Sequence, residues 1–215
     1  MERYLDEIVA YLRGHPVDLS SNDADGRVNS GVNEHEILEE LRESPYGGMI
    51  DIPRARAWYD FCIVNNEGEL FVNIKVSDLS NNSADNLSSK KGMGYALTGL
   101  KNLPNNWPDF NSIVSNNIRR GFDYYYLVVN KNDSRDVFWT SLKRISNLQP
   151  NGSNPPFQCN WSANRQWSAR TEEEAIEYIL RVFLNSWDLR CSGYPGEIKT
   201  MIDRGEIHSR LQYSL

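Results

Sequence analysis

Asp60, Asn73 and Lys75 are residues whose types and spacing could do chemistry. Twelve residues separate Asp60 from Asn73, and one separates Asn73 from Lys75. The stretch LFVNIKVS (70–77) alternates like a strand. In a strand, Asn73 and Lys75 share one face and Val72, Ile74 and Val76 share the other. Asparagine is a poor strand former, and lysine on a half-buried strand is costly. Opposite an acid, the pair gains a use. Asp60, Asn73 and the Ile74 carbonyl are candidate ligands for a hard divalent cation such as Mg²⁺, which takes oxygen ligands and keeps several waters. Such a cation polarises a phosphodiester and acidifies water. Lys75 would orient or deprotonate that water and offset charge in the transition state. The chemistry these groups suit is metal-assisted phosphodiester hydrolysis.

A hairpin must bring them together. A strand is predicted around Tyr59–Val64, NNEGE (65–69) reads as a turn, and reversal there carries Asp60 toward the Asn73–Lys75 end. Upstream, MERYLDEIVAYLRGHP reads as an amphipathic helix and residues 19–33 as a polar loop. A second helix then carries Val32, Ile37, Leu38 and Leu41 to about Glu43. Downstream, residues 83–100 read as a loop and a helix rich in small residues, and LPNNWPDF (103–110) as a loop. FDYYYLVVNK and RDVFWTSLKRI read as strands, and 147–170 as a long polar segment with aromatics. TEEEAIEYILRVFLNSWDL is the clearest helix, with Thr171 as N-cap and Glu174 completing a capping box. A short helix is predicted from Glu197 to Leu211. This order predicts an α/β (α+β) fold, a central mixed sheet flanked by helices. One domain is expected over 1–215: a helical part at 1–50, a sheet core at 51–145, and a recognition loop with C-terminal helices at 146–215.

An acid on one strand, a turn, and Asn73-Ile74-Lys75 on the next resemble the active-site signature of the PD-(D/E)xK nuclease superfamily, especially its type II restriction endonucleases. Two positions depart from it. Tyr59 stands where the family name has proline, and Asn73 replaces the usual acid, which removes one negative charge. The family often adds an acid from a preceding helix; Glu34 fills that role here, with Glu36 as the alternative. Asp51 is a rival for the first acid, but lies outside the apolar run. The resemblance implies a restriction-endonuclease-like fold, Mg²⁺ as cofactor, and site-specific hydrolysis of double-stranded DNA leaving 5′-phosphates. It also implies a homodimer matching a two-fold DNA site.

Cations and amides are the candidate DNA contacts. Lys90 and Lys91 open the small-residue helix, where phosphate can approach closely; Asp85-Asn86 would cap it or touch the DNA backbone. Arg119 and Arg120 suit phosphate clamping. Asn164, Arg165, Gln166 and Arg170 lie in a segment (160–170) dense in base-reading side chains, with Trp161 and Trp167 as packing anchors if it is an ordinary surface loop.

Composition bounds the rest. At 215 residues, 40% apolar and 24% charged, the chain has the make-up of a globular protein. No apolar run approaches the ~20 residues of a membrane span, and the acidic N-terminus is not a signal peptide. Three scattered cysteines fit reduced, buried thiols in a cytoplasmic protein. Residues 1–60 hold 13 acids and 6 bases, a balance of −7; residues 71–170 hold 6 acids and 12 bases, a balance of +6. A cationic face framed by acidic ends is expected. Three competing accounts exist. The chain could be a nicking or repair nuclease of the same superfamily, or a non-catalytic DNA-binding protein with a decayed site. Lys75 could also be an edge-strand lysine ion-paired with Asp60.

Overall fold

The computed structural model describes residues 1–19, 26–54, 57–81, 83–87 and 89–192. Its centre is a five-stranded mixed sheet. β1 (Ile50–Asp51) pairs antiparallel with β2 (Phe61–Asn65), and β2 with β3 (Gly68–Ser77). The β2–β3 connection is tight: Asn65 Oδ1 accepts the Glu67 N–H at 2.7 Å, and Gly68 closes the turn at φ 136°. After a short β4 (Asp85–Asn86), the chain returns as β5 (Tyr125–Asn130), parallel to β3, and then β6 (Asp133–Ser141), antiparallel to β5. The order is β1-β2-β3-β5-β6, so β3 lies third of five.

Period-two alternation sends apolar side chains to both faces. On one face, Phe61, Ile63, Leu70, Val72, Ile74, Leu127 and Val129 pack under α1 (Arg3–Gly14) and α2 (Gly26–Glu43) through Leu5, Ile8, Leu12, Ile37 and Leu41. On the other, Cys62, Phe71, Tyr126, Val128 and Phe138 meet α3 (Lys90–Thr98), α4 (Trp107–Asn117) and α5 (Glu172–Ser192). A second sheet, β4-β8-β7, adds β7 (Leu148–Pro150) and β8 (Phe157–Cys159) beside that core. The mixed α/β architecture with a helix-flanked central sheet is as expected.

Several local expectations fail for physical reasons. α2 starts at Gly26, inside the expected 19–33 loop. Ile37 and Leu41, spaced one turn apart, drive its packing, which overrides weak local propensity. α4 begins inside the expected 103–110 loop. Asn106 accepts the Asp109 N–H at 2.9 Å as N-cap and Pro108 sits in the first turn, so the apparent breakers are start signals. The 147–170 segment contains β7 and β8. Asp85-Asn86 does not cap α3; it pairs with β8, and Ser89 is the cap, accepting the Gly92 N–H at 3.0 Å. The Thr171–Glu174 capping box is present, with both reciprocal bonds (2.8 and 3.3 Å). Cys62 and Cys159 are buried, but Cys191 is exposed. The helix expected at 197–211 lies outside the described residues. Among the described residues, no helix is long and apolar enough to cross a membrane.

Candidate functional site

The β2–β3 register pairs Phe61 with Val72, and the Asp60 N–H donates to the Val72 carbonyl at 2.9 Å. Asp60 therefore faces Asn73, as the turn predicted. β2 stops there, so residues 73–77 have a strand only on the β5 side. The Ile74 N–H, pointing into that opening, donates to Asp60 Oδ2 at 2.7 Å. N–H and C=O of one strand residue face the same way, so the Ile74 carbonyl also faces the Asp60 side. Asn73 and Lys75 lie on the face of Phe71, opposite the buried Val72 and Ile74 side chains.

The three polar groups are not consumed by one another. Burial pushes the Asp60 carboxyl above its ordinary range, against the Ile74 N–H and the nearby Lys75 charge. Lys75 is thus close enough to act electrostatically, yet forms no ion pair with Asp60 or any other described residue. The ion-paired edge lysine is not what the fold contains, although the end of β2 does leave β3 locally open. Asn73 Oδ1 is buried without a hydrogen-bond donor. Leaving such an acceptor unmet costs about 1–3 kcal/mol.

Asn73 also lines a cleft of about 300 Å³ with Ala57, Trp58, Ser89, Lys90, Lys91 and Asn105. The N-terminus of α3 opens onto it. Lys90 Nζ donates to the Asn105 carbonyl at 2.6 Å and lies 4.2 Å from the centre of the Trp107 ring; burial and then Lys91 depress its pKa. Trp58, Ser89, Asn105 and Tyr124, which backs the cleft, were not anticipated. The S-x-x-G spacing of Ser89 and Gly92 was the available signal for the cap; Tyr124 is hidden in a tyrosine run.

Other candidates lie elsewhere. Glu34 and Glu36 are half-buried on α2, a helix that packs on the opposite sheet face from Asn73 and Lys75 through Ile37 and Leu41. Asp51 pairs with Cys62 at the sheet margin and is exposed, a strand away from Asn73. Arg119 is exposed, and Arg120 ion-pairs with Glu173. The proposed base-reading segment needs correction. Asn164 is fully buried. It accepts the Asn147 N–H at 2.7 Å and donates to the Asn160 carbonyl at 2.6 Å, so its amide staples two chain segments and cannot reach a groove. Arg170 donates to the Ile145 and Ser146 carbonyls over the Tyr178 ring, and Arg165 grips Asp136 through two bonds of 2.8 and 2.6 Å. Gln166 keeps an exposed side chain. Trp161 is buried and Trp167 half-exposed.

Half of the bases in the expected cationic stretch are spent in ion pairs. Of the bases in 71–170, Lys101, Arg120, Lys131, Lys143, Arg144 and Arg165 pair with Glu69, Glu173, Asp78, Glu172, Glu2 and Asp136. Lys75, Lys90 and Lys91 have no carboxylate partner among the described residues, and all three belong to this region.

The donor set fits a hard cation. It offers the Asp60 carboxylate, the unmet Asn73 Oδ1 and the Ile74 carbonyl, all oxygen. Among the described residues, no three His, Cys, Asp or Glu side chains converge, so any such site rests on one carboxylate and neutral oxygens. No protein-family model matches the chain, and no curated protein matches it.

Proposed function

We propose that this chain is a Mg²⁺-dependent type II restriction endonuclease that hydrolyses double-stranded DNA at a specific site. The observation that carries this reading is the state of the polar groups on β3. An amide oxygen and an ammonium, neither with a partner among the described residues, stand beside a desolvated carboxylate, where packing alone would favour apolar residues.

Asp60, Asn73 Oδ1 and the Ile74 carbonyl would hold Mg²⁺, which supplies phosphate polarisation and a more acidic water. The Ile74 N–H fixes the rotamer of Asp60, leaving its other carboxylate oxygen for a ligand. Lys75 orients the attacking water and offsets charge on the transferring phosphate. Lys91, and Lys90 at the α3 N-terminus, hold a neighbouring phosphate in the cleft. Cutting both strands of a two-fold site calls for two such centres, which a homodimer supplies.

Digestion of genomic DNA with Mg²⁺ tests the reading. Discrete fragments are expected from wild type. Asp60→Ala and Lys75→Ala should each lose cleavage by about 10³-fold or more while retaining DNA binding in Ca²⁺. Cleavage by either variant at the wild-type rate removes the assignment, and nicks without fragments point to a nicking or repair enzyme.

A further inference from the structure

A groove of about 660 Å³ runs between α4 and α5. Among the described residues, no charged side chain lines it. The rings of Trp107, Phe183 and Trp187 pack on one another there, with centroids 5.2 to 6.3 Å apart, so the surface is preformed. Ile118 and Leu184 line the same groove and are 42% and 61% exposed. A clustered apolar surface of this kind marks a place where something docks.

The charges along α5 fit a second copy of the same helix. Leu180, Leu184 and Trp187 share the groove-side stripe, while Arg181 and Asp188 flank Leu184 on the side away from the groove. Pair two such helices antiparallel about a two-fold axis level with Leu184. Arg181 lies three positions before Leu184 and Asp188 four after it, a mismatch of one helical rise, about 1.5 Å. Arg181 of one copy therefore comes level with the partner's Asp188, and symmetry repeats the pair. On the groove side, Leu180 comes level with the partner's Trp187 in the same way. Among residues 176–192 this register sets no like charges level with each other. Both charges are free to take part. Asp188 is exposed with no ion pair among the described residues, and Arg181 pairs only with Glu177, one turn away on its own helix.

We propose that this face is a homodimer interface: α5 pairs antiparallel with α5 of a second copy, the apolar stripe closing both grooves and Arg181 bonding to the partner's Asp188 along the rim. The inference rests on the homodimer of the proposed function, to which it assigns a surface. Trp107 joins that surface to the cleft, because Lys90 Nζ lies 4.2 Å from the centre of its ring. The cleft of each copy thus borders the interface, where two centres can act on one duplex.

Sedimentation equilibrium of the full chain, without DNA or metal, tests this. Wild type should be a dimer. Leu184→Asp should weaken association about a hundredfold or more, since two apolar side chains leave the interface, with unchanged far-UV circular dichroism. Arg181→Glu and Asp188→Lys should each weaken it about tenfold or more, because each sets like charges together twice. Mixed in equal amounts, these two variants should regain a dimer. In the mixed pair the two introduced charges meet each other, and so do the two native ones. Only a two-fold pairing of these positions predicts recovery on mixing. A dimer indifferent to Leu184→Asp overturns the inference, as does a mixture that stays monomeric. So does a wild-type monomer, whose groove another segment of its own chain or an unlike partner would then cover. Plasmid cleavage with Mg²⁺ is scored in parallel. A wild-type dimer that cuts nothing removes the nuclease reading and leaves the interface standing. A wild type that makes double-strand cuts as a monomer removes only the interface.

Discussion

The Ile74 N–H donates to Asp60 Oδ2 at 2.7 Å, one pair beyond the last rung of the β2–β3 ladder. The bond substitutes a side-chain acceptor for the strand that has ended. It also ties the carboxylate to the residue whose neighbours carry the amide and the ammonium.

Burial raises the Asp60 pKa against this bond and against Lys75. The ionised form is the ligand, so Mn²⁺ affinity should rise with pH through a value above that of free aspartate. The sign for stability is opposite. A raised carboxyl pKa contributes stability that is full at low pH and lost as pH rises through the folded value. Mn²⁺ titrations across pH 4–8 check this. An affinity already at its plateau in the ordinary aspartate range would contradict it.

Lys91→Ala should weaken DNA binding about equally across sequences and reduce the slope of log K against log salt by ~0.9, the loss of one phosphate contact. Lys90→Ala should additionally lower thermal stability, because Lys90 Nζ binds the Asn105 carbonyl and stacks on Trp107. Binding isotherms at several salt concentrations, with melting curves, separate the two.

Asn164→Ala should cost about 3 kcal/mol of folding stability, because it strands the Asn147 N–H and the Asn147 and Asn160 carbonyls. Sequence preference in DNA binding should not change. A base-reading residue would give the reverse: altered preference at unchanged stability in urea unfolding.

Gly92→Ala gains roughly 1 kcal/mol of helix propensity, but the new methyl meets the buried Tyr124 ring at 2.4 Å. Overpacking of this kind costs about 1–3 kcal/mol, so a net drop in melting temperature is expected. Gly14→Ala, where nothing lies within 4 Å, should be neutral or stabilising.

Asp123 carries a second buried carboxylate. Part of the residue's surface is open, but its Oδ1 accepts the Tyr124 N–H at 2.8 Å and the Lys143 N–H at 3.3 Å, and enclosure of the carboxylate decides the shift. Burial pushes its pKa up to about 6, despite those bonds and the Lys143 charge. Native Asp123 thus holds its proton longer than the unfolded chain does, and this group's contribution falls by about 2 kcal/mol as pH rises from 4 to 6. Asp123→Asn should remove that component. The difference in unfolding free energy between wild type and variant, measured from pH 4 to 6, should change with that sign.

The sequence alone determined the hairpin and its contents. Strand alternation put Asn73 and Lys75 on one face, and a turn between 65 and 69 put Asp60 opposite them, because both depend on residues within about fifteen positions. The Thr171–Glu174 capping box was legible for the same reason. Tertiary structure decided which groups remained available. Glu2 reaches Arg144 and Glu172 reaches Lys143, so half of the bases in a stretch that is cationic along the chain are spent in ion pairs, while Lys75, Lys90 and Lys91 are left without a carboxylate partner among the described residues. Asn164 looked like a reader of bases until packing closed around its amide. Tyr124 looked like one more core aromatic until Trp58 took its proton. Ion pairs and buried hydrogen bonds join residues far apart in the chain. No local period encodes them, and they decide whether a polar side chain is spent or left for a ligand.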